Sequence, residues 1–220
     1  MTSCTLPVAL APLTIQPALF TKAKTMKRIC VFCGSSMGAR EIYKEQCDRL
    51  AEAMINKNID LVYGGASIGL MGTIADAILT RGGKVIGVIP EHLQNYEISH
   101  KGLTELVVTR DMHERKAKMA SLSDGFIALP GGIGTLEELI EIATWQQLCL
   151  HDKPTGLMNI DHYYDALIDF LGHSVKEQFL KARHLDNLLR SAEAEDLLDQ
   201  MIYFSENTEK FLEQKIKIDR

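Results

Sequence analysis

This 220-residue sequence has few aromatic residues and no excess of positive charge. Aromatic side chains make up 6% of the chain and include a single tryptophan, so there is little from which to build stacking platforms for single-stranded nucleic acid. The 24 Lys and Arg residues are outnumbered by 29 Asp and Glu residues, for a formal net charge of -5. We therefore expect no nucleic-acid partner, and any anion site must be local.

Long apolar runs and a disulfide framework are missing as well. No segment approaches the roughly 20 consecutive apolar residues that cross a bilayer, so we expect no membrane span. The five cysteines are an odd, scattered set, which favours reduced thiols in a cytoplasmic protein. Cys30 and Cys33 lie within an apolar stretch, whereas a redox pair usually opens a helix, so core thiols are the favoured interpretation.

Motifs for metals and common cofactors are absent too. The sequence contains no H-E-x-x-H, no second C-x-x-C and no cluster among its seven histidines, so we expect no metal site. It lacks G-x-x-x-x-G-K-[ST], which disfavours a P-loop NTPase. The first glycine-rich loop lacks G-x-G-x-x-G, which weakens a dinucleotide interpretation. We therefore predict chemistry without a metal or a cofactor.

Composition divides the chain into three parts. The first 25 residues hold three of the six prolines and no charge before Lys22, which predicts a flexible extension over residues 1–25. No linker or repeat follows, so residues 26–205 are predicted to form a single domain. Residues 206–220 are predicted to form a C-terminal tail.

Within that domain, short apolar runs alternate with helical patterns. The runs have strand length and are continuously apolar, as in buried parallel strands: residues 28–33, 59–63, 84–89, 106–109, 125–129 and 155–158. Between them, apolar residues recur at helical spacing, for example over residues 41–57. This alternation predicts an α/β fold, a doubly wound, Rossmann-like parallel sheet with helices on both faces. From Tyr163 onward we predict helices and no further strand.

Three of the loops that follow predicted strands are rich in glycine: residues 33–38, 63–72 and 130–135. The carboxyl ends of parallel strands share one edge of a sheet, so we expect these loops at one rim. Glycine allows close backbone approach and a following helix presents free N–H groups, which together suit a phosphate. Tight strand-to-helix turns alone also require glycine. The candidate phosphate contacts are Gly34, Ser35, Gly64, Gly65 and Gly131.

Two helix starts carry the residue pattern of a capping box. In one, Thr135 and Glu138 are predicted to cap a helix, although a carboxylate beside a phosphate loop is also placed to act on a sugar. In the other, Asp111 and Glu114 precede a pair of cations at residues 115–116. Two cations in a first helical turn oppose the helix dipole, and a bound anion would remove that penalty.

The motifs at residues 112–116 (MHERK) and 130–138 (PGGIGTLEE) resemble those of the LOG ("lonely guy") family. Its members are cytokinin riboside 5'-monophosphate phosphoribohydrolases, long misnamed lysine decarboxylases. Residues 31–36, 63–65, 69–72, 144–148 and 151–154 support the resemblance, which runs from about residue 27 to about residue 198.

The resemblance implies hydrolysis of the N-glycosidic bond of a nucleoside 5'-monophosphate such as AMP or N6-modified AMP. The products would be the free base and ribose 5-phosphate, and the enzyme would be a homodimer. Arg115 and Glu138 match the family's catalytic residues. The matches to substrate-contacting positions are Glu97, Lys116, Gly132, Ile133, Gly134, Thr135, Leu136, Glu137 and Thr144. Thr144 could instead bond back along its own helix, and Glu97 could be a solvated loop acid.

Two other functions remain open at this point. A nucleotide-binding carrier or sensor could use the same three loops without chemistry, although it has less need of Arg115 and Glu138 together. A lysine decarboxylase would need pyridoxal phosphate on a Schiff-base lysine. No lysine in the sequence lies in a recognisable context for that cofactor.

Overall fold

The computed structural model describes residues 26–94 and 99–218. The predicted extension over residues 1–25 and the candidate contact Glu97 lie outside the described residues. In the described part, no helix is both long enough and apolar enough to cross a membrane.

Seven parallel strands form one sheet in the order β4-β3-β2-β1-β5-β6-β7. The strands are β1 (Arg28–Phe32), β2 (Asp60–Tyr63), β3 (Val85–Pro90), β4 (Glu105–Thr109), β5 (Gly125–Ala128), β6 (Thr155–Met158) and β7 (Leu188–Ser191). The order runs outward from β1 in both directions, as in a doubly wound fold. The predicted fold class is confirmed.

Helices connect successive strands. They are α1 (Ile42–Asn56), α2 (Gly69–Thr80), α3 (Glu91–Gln94), α4 (Met112–Leu122), α5 (Ile133–Gln147), α6 (Asp165–Lys176), α7 (Ala182–Asp186) and α8 (Ala194–Ile218). A short 3-10 turn (Ile160–His162) precedes α6. The helix predicted over residues 41–57 corresponds to α1.

Strand β1 shows how the sheet separates two cores. Ile29 and Val31 pack in the core formed with α1, α2 and α8. Cys30 and Phe32 pack in the core formed with α4 and α5, as expected for side chains that alternate along a strand. Cys33 lies in the first core, so the two cysteines occupy opposite faces of the sheet. Both are free, buried thiols, which confirms the interpretation as core residues.

One strand was not expected from the sequence. Residues 188–191 form β7, which pairs with β6 at the edge of the sheet, so the prediction of no strand after Tyr163 is wrong. The segment has only four residues, and its exposed Arg190 interrupts the apolar run that marks a buried strand. Helix α8 crosses residue 206, and the division into domain and tail at that position stays a prediction.

Candidate active site

The three glycine-rich loops meet at the carboxyl ends of β1, β2 and β5. The Gly34 N–H donates a hydrogen bond to Pro130 O at 3.1 Å, which ties the first loop to the third. Gly69 has a φ of +59°, and a Cβ there would overlap the Ser35–Ser36 backbone, so the second loop needs glycine to approach the first. The predicted gathering of the loops at one rim is confirmed.

A cleft of about 320 Å³ opens between these loops and helices α4 and α5. Its walls contain Val31, Phe32, Cys33, Gly34, Ser35, Gly64, Met71, Met112, Arg115, Met119, Gly132, Ile133, Gly134, Thr135, Glu137 and Glu138. Both predicted catalytic residues therefore face the same cavity.

Arg115 reaches into the cleft from the first turn of α4 and is 6% exposed. Its Nε donates to Val88 O at 3.0 Å and its Nη2 donates to Gly64 O at 3.1 Å. The Gly64 oxygen directly follows β2, and the Val88 oxygen lies within β3, just beyond the residues that pair with β2, so the sheet itself orients the guanidinium group. Its Nη1 lies 3.7 Å from Met112 Sδ, a weak acceptor.

Gly64 makes room for this arrangement. A Cβ at Gly64 would overlap Nη2 of Arg115 and Cε of Met71. Glycine at this position therefore leaves space for the side chain of Arg115.

Glu138 lies in the first turns of α5 and is partly exposed to the cleft. Burial raises the pKa of Glu138 to about 7, against an ordinary value of 4.5, even though the positive charge of Arg115 opposes the shift. The neighbouring carboxylates of Glu137 and Glu141 raise this pKa further, whereas Lys116 lowers it. Glu138 can therefore exchange a proton near neutral pH.

Lys116 connects α4 to α5 rather than lining the cleft. Its Nζ is 2.6 Å from Glu137 Oε1 and 3.1 Å from Glu141 Oε1. Burial alone would lower the pKa of Lys116, but the hydrogen bonds to the two carboxylates outweigh it and raise the pKa. Carboxylates thus compensate the charge of Lys116, whereas the hydrogen bonds of Arg115 go to backbone oxygens.

The two predicted capping boxes have different outcomes. Asp111 caps α4, and its Oδ1 accepts a hydrogen bond from the Glu114 N–H at 2.8 Å. The Glu114 carboxylate accepts from the Arg110 N–H, one residue before the position in a standard box. The prediction for Thr135 and Glu138 is wrong, because α5 begins at Ile133 with Gly132 as its N-cap.

The remaining predicted contacts are spread around the cleft. Gly65 and Leu136 lie outside its walls, and Gly131 lies in an adjoining cavity behind the loops. Thr144 is exposed on α5, and its hydroxyl donates to Ile140 O at 2.7 Å, the helical alternative considered above. Ile133 lines the mouth of the cleft with 87% of its surface exposed.

Sequence reasoning missed two supporting groups. Three methionines (Met71, Met112 and Met119) form an apolar wall beside Arg115. The seven-residue spacing of Met112 and Met119 places both on one face of α4, but no local pattern connects them with Met71. Tyr163 donates a hydrogen bond to Gly131 O at 2.7 Å, and Tyr164 donates to Leu129 O at 2.6 Å. These adjacent tyrosines hold the strand end and the loop that precede α5.

Comparisons with known proteins agree on a family and a fold. Residues 71–201 match the protein-family model described as "Possible lysine decarboxylase". The chain is 48% identical over 191 residues to cytokinin riboside 5'-monophosphate phosphoribohydrolase LOG1 of Arabidopsis thaliana, covering 86% of this chain and 89% of that protein. It is 47% identical over 175 residues to LOG5, a phosphoribohydrolase of the same name and organism, covering 80% and 77%.

The fold is shared more widely than the sequence. The molybdenum cofactor carrier protein from Chlamydomonas reinhardtii superimposes with a TM-score of 0.60 at 18% identity, covering 81% of this chain and 99% of that one. At this identity the likeness concerns the fold alone.

Gly64→Ala should destabilise the protein, because the new methyl group overlaps the Arg115 side chain. We expect the free energy of unfolding to fall by about 1–3 kcal/mol in a urea titration. Gly172→Ala is the matched control, since a Cβ on this α6 glycine meets no atom within 4 Å. It should raise stability by about 0.5–1 kcal/mol. Equal effects of the two substitutions would contradict the proposed crowding at Gly64.

Glu138→Gln should stabilise the protein at high pH. A carboxyl whose pKa is raised on folding, from 4.5 to about 7, makes folding less favourable as the pH rises through that interval. Removing the charge should therefore add about 1–3 kcal/mol at pH 8, after allowance for partial solvent exposure, and almost nothing at pH 4. Glu52→Gln, on the exposed side of α1, is the control. A stability gain that does not depend on pH would contradict this account.

Proposed function

The chain belongs to the LOG family of cytokinin riboside 5'-monophosphate phosphoribohydrolases, and from that premise we propose how its cleft hydrolyses a nucleoside 5'-monophosphate. The N-glycosidic bond of AMP or an N6-modified AMP breaks, water adds to the ribose carbon, and the free base and ribose 5-phosphate leave. One observation carries the assignment of roles: Arg115 and Glu138 face the same cleft beside the glycine loop that starts α5.

The start of α5 suits the 5'-phosphate. Gly132 is the N-cap and has no side chain that could accept from the N–H groups of Ile133, Gly134 and Thr135. The first N–H groups of a helix lack partners within the helix and attract an anion. The contacts proposed for Gly132–Thr135 follow from this geometry, with Gly34 and Ser35 on the facing loop.

Glu138 is suited to the sugar. Cleavage of a glycosidic bond develops positive charge on the ribose, which a carboxylate stabilises at short range. The same carboxylate can orient or deprotonate the attacking water, because burial brings its pKa to about 7. In this role Glu138 acts in its ionised form.

Arg115 is suited to the departing base. Negative charge develops on the base as the bond breaks, and a fixed hydrogen-bond donor lowers the energy of that state. Two of its nitrogens are held by backbone oxygens of Val88 and Gly64, so the group needs little reorganisation when substrate binds. Its remaining N–H groups are the ones available to the substrate.

The cleft does not fit pyridoxal phosphate. A Schiff base requires a lysine that can lose its proton, and no lysine lines this cleft in the described residues. The nearest candidate by sequence, Lys116, is paired with two carboxylates that favour its protonated form.

A carrier or sensor of nucleotides is the second candidate. The fold is shared with a molybdenum cofactor carrier, but that likeness extends to the fold alone. The burial of Glu138 lowers the stability of the folded protein at neutral pH, where the carboxyl group must ionise in a partly desolvated position. A protein that only binds nucleotides does not need a carboxylate there, whereas a hydrolase uses it on the sugar and the attacking water.

Purified protein, without added metal or cofactor, should release adenine and ribose 5-phosphate from AMP. Chromatography after incubation with AMP and isopentenyladenosine monophosphate measures the products and the preferred base. Glu138→Gln and Arg115→Ala should each lower kcat by about a hundredfold or more. Glu52→Gln, on the far side of the sheet, should retain the wild-type rate.

Two outcomes would separate the candidate functions. Unchanged nucleotide that raises the melting temperature of the wild-type protein would favour the carrier. Hydrolysis at the wild-type rate by a folded Glu138→Gln protein would contradict the role given to that carboxylate.

A homodimer and a cytoplasmic location complete the proposal. Helix α5 exposes apolar side chains at helical spacing, including Ile133, Ile140 and, just after its end, Leu148. Such a stripe is unusual on a monomer and is typical of a contact between subunits. The free thiols in the described part of the chain suit a reducing compartment.

Light scattering on purified protein should give the mass of two chains. Ile140→Glu places a charge in the exposed stripe of α5 and should shift the protein towards monomer. Tyr203→Glu, at an exposed hydrophobic position on α8, should leave the dimer intact. A monomeric wild-type mass would overturn the proposed assembly.

A further inference from the structure

One carboxylate in the contact between α4 and α5 has no part in the chemistry described so far. Glu141 lies one turn beyond Glu137, and its side chain is 23% exposed, compared with 51% for Glu137. Its Oε1 is 3.1 Å from Lys116 Nζ. Its Oε2 is shielded from solvent and has no hydrogen-bond partner among the described residues. The charge of Glu141 therefore depends on Lys116 for compensation.

Glu137 binds the same ammonium group from a different position. It lines the cleft, half exposed, with its Oε1 2.6 Å from Lys116 Nζ. A carboxylate in this position can rotate towards the hydroxyl groups of a bound ribose. Glu141 does not line the cleft, so it cannot turn from Lys116 towards a bound ribose in the same way.

We propose that Glu141 is a positioning residue, which holds Lys116 in place while Glu137 exchanges its ion pair for the hydroxyl groups of the substrate. The inference rests on the phosphoribohydrolase activity proposed above. With Glu141 charged, Lys116 keeps a counter-ion after Glu137 turns away. Without that charge, Lys116 has only Glu137 as an anionic partner in this contact, and substrate must compete with the ammonium group for Glu137.

The charge of Glu141 also bears on Glu138. The charged and titratable groups that influence Glu138 come from three elements: Arg115 and Lys116 on α4, Glu137 and Glu141 on α5, and the thiols of Cys30 and Cys33 at β1. After burial, the negative charges on α5 add to the rise in the pKa of Glu138. Neutralising Glu141 should therefore lower that pKa and let Glu138 ionise at lower pH.

Glu141→Gln tests this inference, because it removes the charge and keeps the shape of the side chain. With AMP as substrate, we expect KM to rise by roughly threefold to tenfold while kcat changes by less than about twofold. The acid limb of the kcat/KM profile should move to lower pH. Glu141→Asp keeps the charge and should keep the acid limb at its wild-type position.

Two controls separate this role from a structural one. Glu52→Gln removes an exposed carboxylate on the other side of the sheet and should change neither KM nor the pH profile. If Glu141 only clamps the two helices, Glu141→Gln should lower the melting temperature and kcat and leave KM unchanged. An unchanged KM would overturn the proposal.

Failure of the proposed function would be visible separately. If wild-type protein releases no free base from either AMP or isopentenyladenosine monophosphate, the hydrolase assignment fails whatever the variant does. Calorimetric titration of both proteins with AMP then still tests Glu141, since a weaker affinity of the variant supports the exchange and an equal affinity contradicts it.

Discussion

The guanidinium group of Arg115 is held by two backbone oxygens of neighbouring parallel strands, Val88 O within β3 and Gly64 O just after β2. This contact fixes the distance between α4 and the sheet, and it requires that Gly64 have no side chain. Without Arg115, these two carbonyl groups would need water or another hydrogen-bond donor. The arginine supplies their hydrogen bonds, and the two carbonyl groups in turn orient its guanidinium group. The rest of the cleft depends on this arrangement, because α4 also places Lys116 against the carboxylates of α5.

The sequence predicted the fold class and the edge of the sheet at which the candidate site lies. Continuous apolar runs indicated six of the seven strands, and glycine after three of them indicated the rim on which Arg115 and Glu138 meet. Local patterns suffice for these features, since each depends on residues close together in the chain. Strand β7 was missed because its Arg190 is exposed at a sheet edge, where a short apolar run is not required.

What the sequence could not predict depends on contacts between distant segments. Lys116 looked free to bind an anion, but residues 21 and 25 positions further along neutralise it. Thr135 looked like an N-cap, yet α5 starts two residues earlier and the threonine side chain packs over Gly131. Tyr163 supports the same glycine from a segment 32 residues away. No local spacing encodes such pairings.

The charge balance between α4 and α5 connects these observations. Helix α5 brings three carboxylates to this contact (Glu137, Glu138 and Glu141), and α4 supplies two cations. These groups carry one negative charge in excess when all three acids are ionised, and burial makes the charged form of one carboxyl group especially costly. That group is Glu138, whose pKa lies near 7. Lys116 thus pairs with Glu137 and Glu141, while burial brings the pKa of Glu138 into the range where a hydrolase needs a base.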